Sequence, residues 1–147
     1  MSKVGSRVQN LTKSRERVKK YGEVYTPEWV VKKMCDALPE EAWDSIDRTF
    51  LEPSCGNGNF LVEILRRKLE LCYTPDDGLK ALKSITAIDI LPDNCEESRK
   101  RLLDMYHEKF SEADIEYLLD ARRILNERII CGNSLEIMKK WAEEVTK

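Results

Sequence analysis

Glu52-Pro53-Ser54-Cys55-Gly56-Asn57-Gly58-Asn59-Phe60 concentrates the residue types in this chain best suited to ligand chemistry. Two glycines one residue apart let the backbone turn sharply and approach a bound molecule with no Cβ in the way. Glu52 sets a carboxylate beside them that can face a cationic group. A Gly-x-Gly pair also occurs in plain turns, so its neighbours decide the reading. The dinucleotide fingerprint needs a third glycine three residues after the second, and Leu61 stands there, which disfavours a pyrophosphate. What remains is a ligand with an adenosine end, no phosphate, and an ammonium or sulfonium charge opposite Glu52.

Flanking elements must hold this loop. Thr49 to Glu52 reads as a brief apolar strand ending at Pro53, and Phe60, Leu61, Ile64, Leu65, Lys68 and Leu71 mark one helix face behind the glycines. Thr74-Pro75-Asp76-Asp77-Gly78 breaks that pattern and reads as a loop. Ser84 to Ile90 has the β-branched content of a buried strand. Leu91-Pro92 then turns the chain into a helix with Cys95, Leu102, Leu103, Tyr106 and Phe110 facing inward. A further helix is expected from about Glu112 to Leu125, then a strand from Arg128 to Cys131. After Gly132-Asn133-Ser134 comes a last helix using Leu135, Met138, Trp141 and Val145. Upstream, Thr26 reads as an N-cap and Pro27 as the first helical residue, with Val30, Met34, Ala37 and Leu38 at helical spacing. Strands alternating with helices predict right-handed βαβ crossovers and an α/β fold, a short parallel sheet flanked by helices. Ligands in such sheets sit at the carboxyl ends of the strands, where the glycine loop falls.

Composition bounds the setting. A chain of 147 residues, 41% apolar and 35% charged, fits one compact domain. Its five cysteines are odd in number and widely spaced, with a single histidine, His107, so neither a disulfide framework nor a metal site is suggested. The N-terminus has no apolar run long enough for a signal peptide or a membrane span, so a soluble, cytoplasmic protein with reduced thiols and no membrane role is expected. Residues 1–20 form a basic arm, with Lys3, Arg7, Lys13, Arg15, Arg17, Lys19 and Lys20 against one acid, Glu16, on a chain of formal net charge −2. Such an arm either holds a phosphate backbone, DNA included, in a salt-dependent way, or is a solvated and partly disordered tail. The α/β domain is expected over 21–147.

With these features in order, the sequence resembles the adenine-specific (N6) DNA methyltransferases of restriction-modification systems. Their first motif is an acidic-Pro-x-x-Gly-x-Gly-x-Phe run, matched here by Glu52, Pro53, Gly56, Gly58 and Phe60. The resemblance covers about Tyr21 to Leu135 and implies a truncated Rossmann-like methyltransferase fold that binds S-adenosyl-L-methionine. It implies that Tyr25, Thr26 and Pro27 lie over the methionine carboxylate, where a hydroxyl and helix-start amides suit an anion. It implies that Asp89 accepts from the ribose hydroxyls with little weight on fold stability, and that Ile90 belongs to the same cofactor segment. Asn133 falls where relatives commonly carry an Asp that accepts from the adenine amine. Each keeps a simpler reading beside this one: a helix cap at Thr26, a turn residue at Asp89, an N-cap at Asn133 or Ser134.

In that family the target amine is gripped by an Asn/Asp-Pro-Pro-Tyr/Phe loop after a fourth strand. The prolines here, Pro27, Pro39, Pro53, Pro75 and Pro92, are isolated. No catalytic residue is therefore assigned, and transfer is expected only if a partner supplies the loop. Strand 49–52 is expected to be a bare edge, open to a second protein chain or to self-association. Three readings stay open: the cofactor-binding portion of an enzyme, a non-catalytic S-adenosylmethionine-binding or interaction protein (phage-type or regulatory) acting on host modification machinery, and a remnant with a degenerate pocket.

Overall fold

The computed structural model describes residues 11–146. The first half of the expected basic arm, with Lys3 and Arg7, lies outside the described residues. The second half forms α1 (Arg15–Tyr21), capped by the Ser14 hydroxyl, which accepts from Arg17 N. The elements α2 (Glu28–Asp36), β1 (Phe50–Glu52), α3 (Asn59–Leu69), α4 (Pro75–Lys83) and β2 (Ile85–Asp89) follow. The chain continues through α5 (Pro92–Lys109), α6 (Ile115–Arg128), β3 (Ile129–Cys131) and α7 (Ser134–Val145).

The three strands are parallel in the order β1-β2-β3, Phe50 opposite Ile85 and Ala87 opposite Ile129. The α/β architecture expected from the alternation of elements is therefore present, with a short sheet flanked by helices. The core lies between the sheet and α3 to α6, built from Leu61, Leu65, Leu82, Ile85, Leu102 and Ile124, all essentially free of solvent. Among the described residues no helix is long and apolar enough to cross a membrane.

Three local readings need correction. Thr74 to Gly78 is not a loop but the start of α4: Thr74 and Asp77 make a reciprocal capping box, with Pro75 at the first helical position. Gly78 lies within α4, and a Cβ there would lie 2.5 Å from the Phe110 ring, so its glycine serves close packing rather than a turn. In α2 the buried residues are Val31 and Cys35, while Met34 and Leu38 are exposed, and the N-cap is Pro27 rather than Thr26. The apolar face of α7 buries none of its side chains, and Leu135 is 77% exposed.

The sheet is thus packed on one side and largely open on the other. β1 is an edge strand; Phe50 N donates to Ser84 O across the β2 side, and ladder alternation turns the Leu51 backbone groups outward. Leu51, Thr86, Ile130 and Trp141 line a shallow groove of about 570 Å³ on this open side.

Lys68 anchors the approach to β1. It is fully buried, yet its ammonium donates to Ile46 O at 3.0 Å and Arg48 O at 2.7 Å, beside the Phe50 ring. Burial pulls its pKa down from 10.5 to about 8. A neutral amine still carries two N–H donors, enough for both carbonyls. Between pH 8 and 10.5 the unfolded chain therefore binds the extra proton, and the Lys68 contribution to stability rises with pH across that window. The buried thiols and phenols, raised well above their usual range, contribute in the opposite sense, so the readout is the difference between two proteins: from pH 7.5 to pH 10 the denaturation midpoint of the wild type should gain on that of Lys68→Met. A constant difference between the two would show that Lys68 does not titrate in this window.

Candidate functional site

A cleft of about 480 Å³ opens at the carboxyl ends of the three strands. Its walls are residues 21–26 between α1 and α2, the β1–α3 loop from Glu52 to Phe60, the β2–α5 turn, and the segment after β3. Of the residues singled out in the sequence, Tyr25, Thr26, Glu52, Pro53, Gly56, Phe60, Asp89, Ile90 and Asn133 meet on this cleft. Pro27 and Gly58 stand behind its lining. Gly58 (φ 94) lets α3 press onto α5, since a Cβ there would sit 2.9 Å from Ser98 Oγ.

Asp89 organises the floor. Its Oδ2 accepts from Gly56 N at 2.9 Å, and its Oδ1 accepts from Leu91 N at 2.9 Å and from Asn94 Nδ2 at 3.2 Å. Its carbonyl accepts from Gly132 N at 2.9 Å. The expectation that Asp89 carries little weight in stability gives way here, because removing the carboxylate strips partners from two loop amides and a buried side chain. Hydrogen bonds to a charged group are worth about 1.5–3 kcal/mol each.

Glu52 ends β1 at the cleft, held by Ser54 N donating to its Oε1 at 3.0 Å. Burial raises its carboxyl pKa, against the pull of that amide. Asn133 caps α7, its Oδ1 accepting from Glu136 N at 3.1 Å, which leaves that oxygen a second lone pair for a ligand. Gly56 adopts φ 53, and a Cβ there would meet the Tyr25 ring at 3.0 Å. Tyr25 is buried and donates to Asn94 Oδ1 at 2.9 Å. Burial pushes its phenol up to about 12, and likewise the Cys55 thiol to about 12. Neither is a nucleophile near neutral pH; the cleft presents amides and carboxylates on its floor and Phe60, Ile90 and exposed Leu135 as apolar walls.

Sequence reasoning missed Glu23, Asn94, Asn59 and Leu135. Asn59 Nδ2 donates to Thr26 O at 2.8 Å and Arg101 donates to Asn59 Oδ1 at 2.9 Å, which fixes the Tyr-Thr-Pro segment against α3. No spacing in the chain advertises these partners, because they come from distant segments.

No family model matches the chain, and no solved structure does. Over 53 residues, 36% of its length, the chain is 40% identical to the type II methyltransferase M.VspI of Vibrio sp. (strain 343). It spans 12% of that relative's length. The similarity supports a relationship to methyltransferases.

Gly56→Ala should destabilise the protein by more than about 1 kcal/mol, because alanine is strained at positive φ and its Cβ meets Tyr25. An unchanged urea midpoint would mean that the loop relaxes freely.

Proposed function

We propose that the chain is the S-adenosylmethionine-binding part of an adenine-specific DNA methyltransferase, with methyl transfer to the adenine exocyclic amine completed by a loop from other polypeptide. The observation that carries the reading is the convergence of Gly56, Asp89, Glu52 and Asn133 on one cleft at the strand ends. The partial similarity to a type II methyltransferase supports it independently. The cofactor supplies a methyl group on a sulfonium; the residues here bind and orient it.

The cleft volume falls within the range of small-molecule sites. An ionised carboxylate offers about four acceptor positions, and Asp89 spends three on its internal partners, so one is left on Oδ2 for a ribose hydroxyl. Glu52 offers negative charge to an ammonium or sulfonium, and Ile90 and Phe60 give an adenine ring apolar cover. The Asn133 oxygen can accept from the adenine amine. The open β1 edge and the groove beside Trp141 suit a further strand from a second chain or a second copy, which would also bring in the target-base loop.

Calorimetric titration tests this. Glu52→Gln keeps the acceptor for Ser54 N and should weaken S-adenosylmethionine by about 1.5–3 kcal/mol while leaving adenosine, which lacks the cation, unaffected. Absence of binding by the wild type at saturating ligand sinks the proposal. Binding with no labelled-methyl transfer, even with added polypeptides bearing an Asn-Pro-Pro-Tyr loop, selects the non-catalytic reading.

DNA contact is assigned to α1 and its surroundings, where Arg15, Lys19 and Lys20 are exposed and Lys20 and Lys33 sit over exposed Tyr21 and Trp29. Replacing Lys19 and Lys20 by Glu should weaken duplex binding at low salt and flatten its salt dependence, read by fluorescence anisotropy. Affinity indifferent to both changes would remove α1 from the interface.

A further inference from the structure

Residues 13–25 form a strap that is bonded to the first turns of α5 and reaches the cleft through Tyr21 to Tyr25, and its attachment passes through one buried amide. Asn94, in the first turn of α5, is wholly inaccessible to solvent. Its Oδ1 accepts from Lys13 Nζ and from Tyr25 OH, both at 2.9 Å. Its Nδ2 donates to Glu23 Oε2 at 2.6 Å and to Asp89 Oδ1 at 3.2 Å. Every hydrogen-bonding position of the amide is filled. Its orientation is dictated as well, since a flip would aim the oxygen at two carboxylates and the NH₂ at an ammonium.

Around this amide the strap is held by charge. Lys13 also reaches Asp93 at 2.9 Å and Glu97 at 3.0 Å, and Arg17 reaches Asp93 at 2.6 Å and Glu23 at 2.8 Å. The Arg17 guanidinium, then Lys13, holds the Asp93 carboxyl well below the usual carboxylate range. Asn94 is the member of this network that also touches Asp89. Without its two N–H groups the Glu23 and Asp89 carboxylates would lose the donor they share.

We infer that Asn94 is a positioning residue that couples docking of the strap to the Asp89 carboxylate. Asn94 does not line the cleft, whereas strap residues Tyr21 to Tyr25 do. A ligand that takes the free position on Asp89 Oδ2 leaves the Asn94 bond intact and gains the strap as a wall, so ligand binding and strap docking favour each other. This last clause rests on the proposed cofactor reading.

Hydrogen exchange at the amides of Val18 to Gly22 reads docking, because a helix as short as α1 does not persist unsupported. In ligand-free protein, Asp89→Ala should raise their exchange about tenfold although no α1 residue touches Asp89, and Asn94→Ala should raise it at least as much. In the double variant the two effects should not multiply. The β2 amides report any global loss of structure. If Asn94→Ala fails to fold, Tyr25→Phe, which removes the hydroxyl that donates to Asn94 and keeps the ring, is combined with Asp89→Ala in its place, with the same non-multiplying pattern expected. Unchanged α1 exchange in Asp89→Ala overturns the inference by showing no coupling, and effects that multiply overturn it by pointing to the Gly56 contact with Tyr25 as the route between loop and strap. Adding S-adenosylmethionine should slow α1 exchange in the wild type and not in Asn94→Ala. Slowing of equal size in both also overturns it. Failure of the wild type to bind the cofactor at all defeats the cofactor reading, and the ligand-free comparison then decides Asn94 alone.

Discussion

A single buried residue, Asp89, ties together the ends of all three strands. Asp89 accepts the Gly56 amide from the loop after β1 and the Leu91 amide from the turn after β2, while its own carbonyl takes the Gly132 amide after β3. Main-chain carbonyls of β2 hold the Cys55 and Gly132 amides, whereas the Gly56 and Leu91 amides take the side-chain carboxylate as their acceptor. The charge is tolerated at that depth because N–H groups surround it. The positive φ of Gly56, the seat of Tyr25 against it, and the Asn94 contact all follow from where this carboxylate stands.

Much of this site was legible in the sequence because its parts are local. A glycine needed for positive φ, an acid at the end of a β-branched run and an Asn before a helix each carry their reason in neighbouring residues. Thr74 to Gly78 misled because Pro, Asp and Gly are turn residues by propensity, whereas here Thr74 and Asp77 cap each other and Gly78 yields space to Tyr106 and Phe110. The α2 face was misread by one position because Val30 and Val31, or Met34 and Cys35, fit helical spacing equally well; packing against α3 chooses Val31 and Cys35. The strap was illegible for a different reason. Its partners are polar side chains on α5, and a charge run at an N-terminus looks the same whether it is solvated or docked.

The described residues divide into a finished side and an unfinished one. Toward α3, α4, α5 and α6 the sheet is buried by a continuous apolar core. Toward α7 it leaves Leu51 half exposed and the helix with no buried side chain. The cleft lies at the strand ends between the two: its floor is Asp89, and one wall, Asn133 to Leu135, belongs to the start of α7.

The crossovers themselves set an order of assembly. Phe50 pairs with Ile85 and Ala87 with Ile129, so each ladder joins residues separated by two whole helices. Chain closure over such spans is entropically slow compared with packing neighbouring helices. The α5–α6 hairpin therefore has time to form before its flanking strands meet, and the sheet is the last layer to close. The longer of the two spans separates β2 from β3, while at the other edge of the sheet the Lys68 hydrogen bonds to Ile46 and Arg48 tie the approach to β1 to its own following helix.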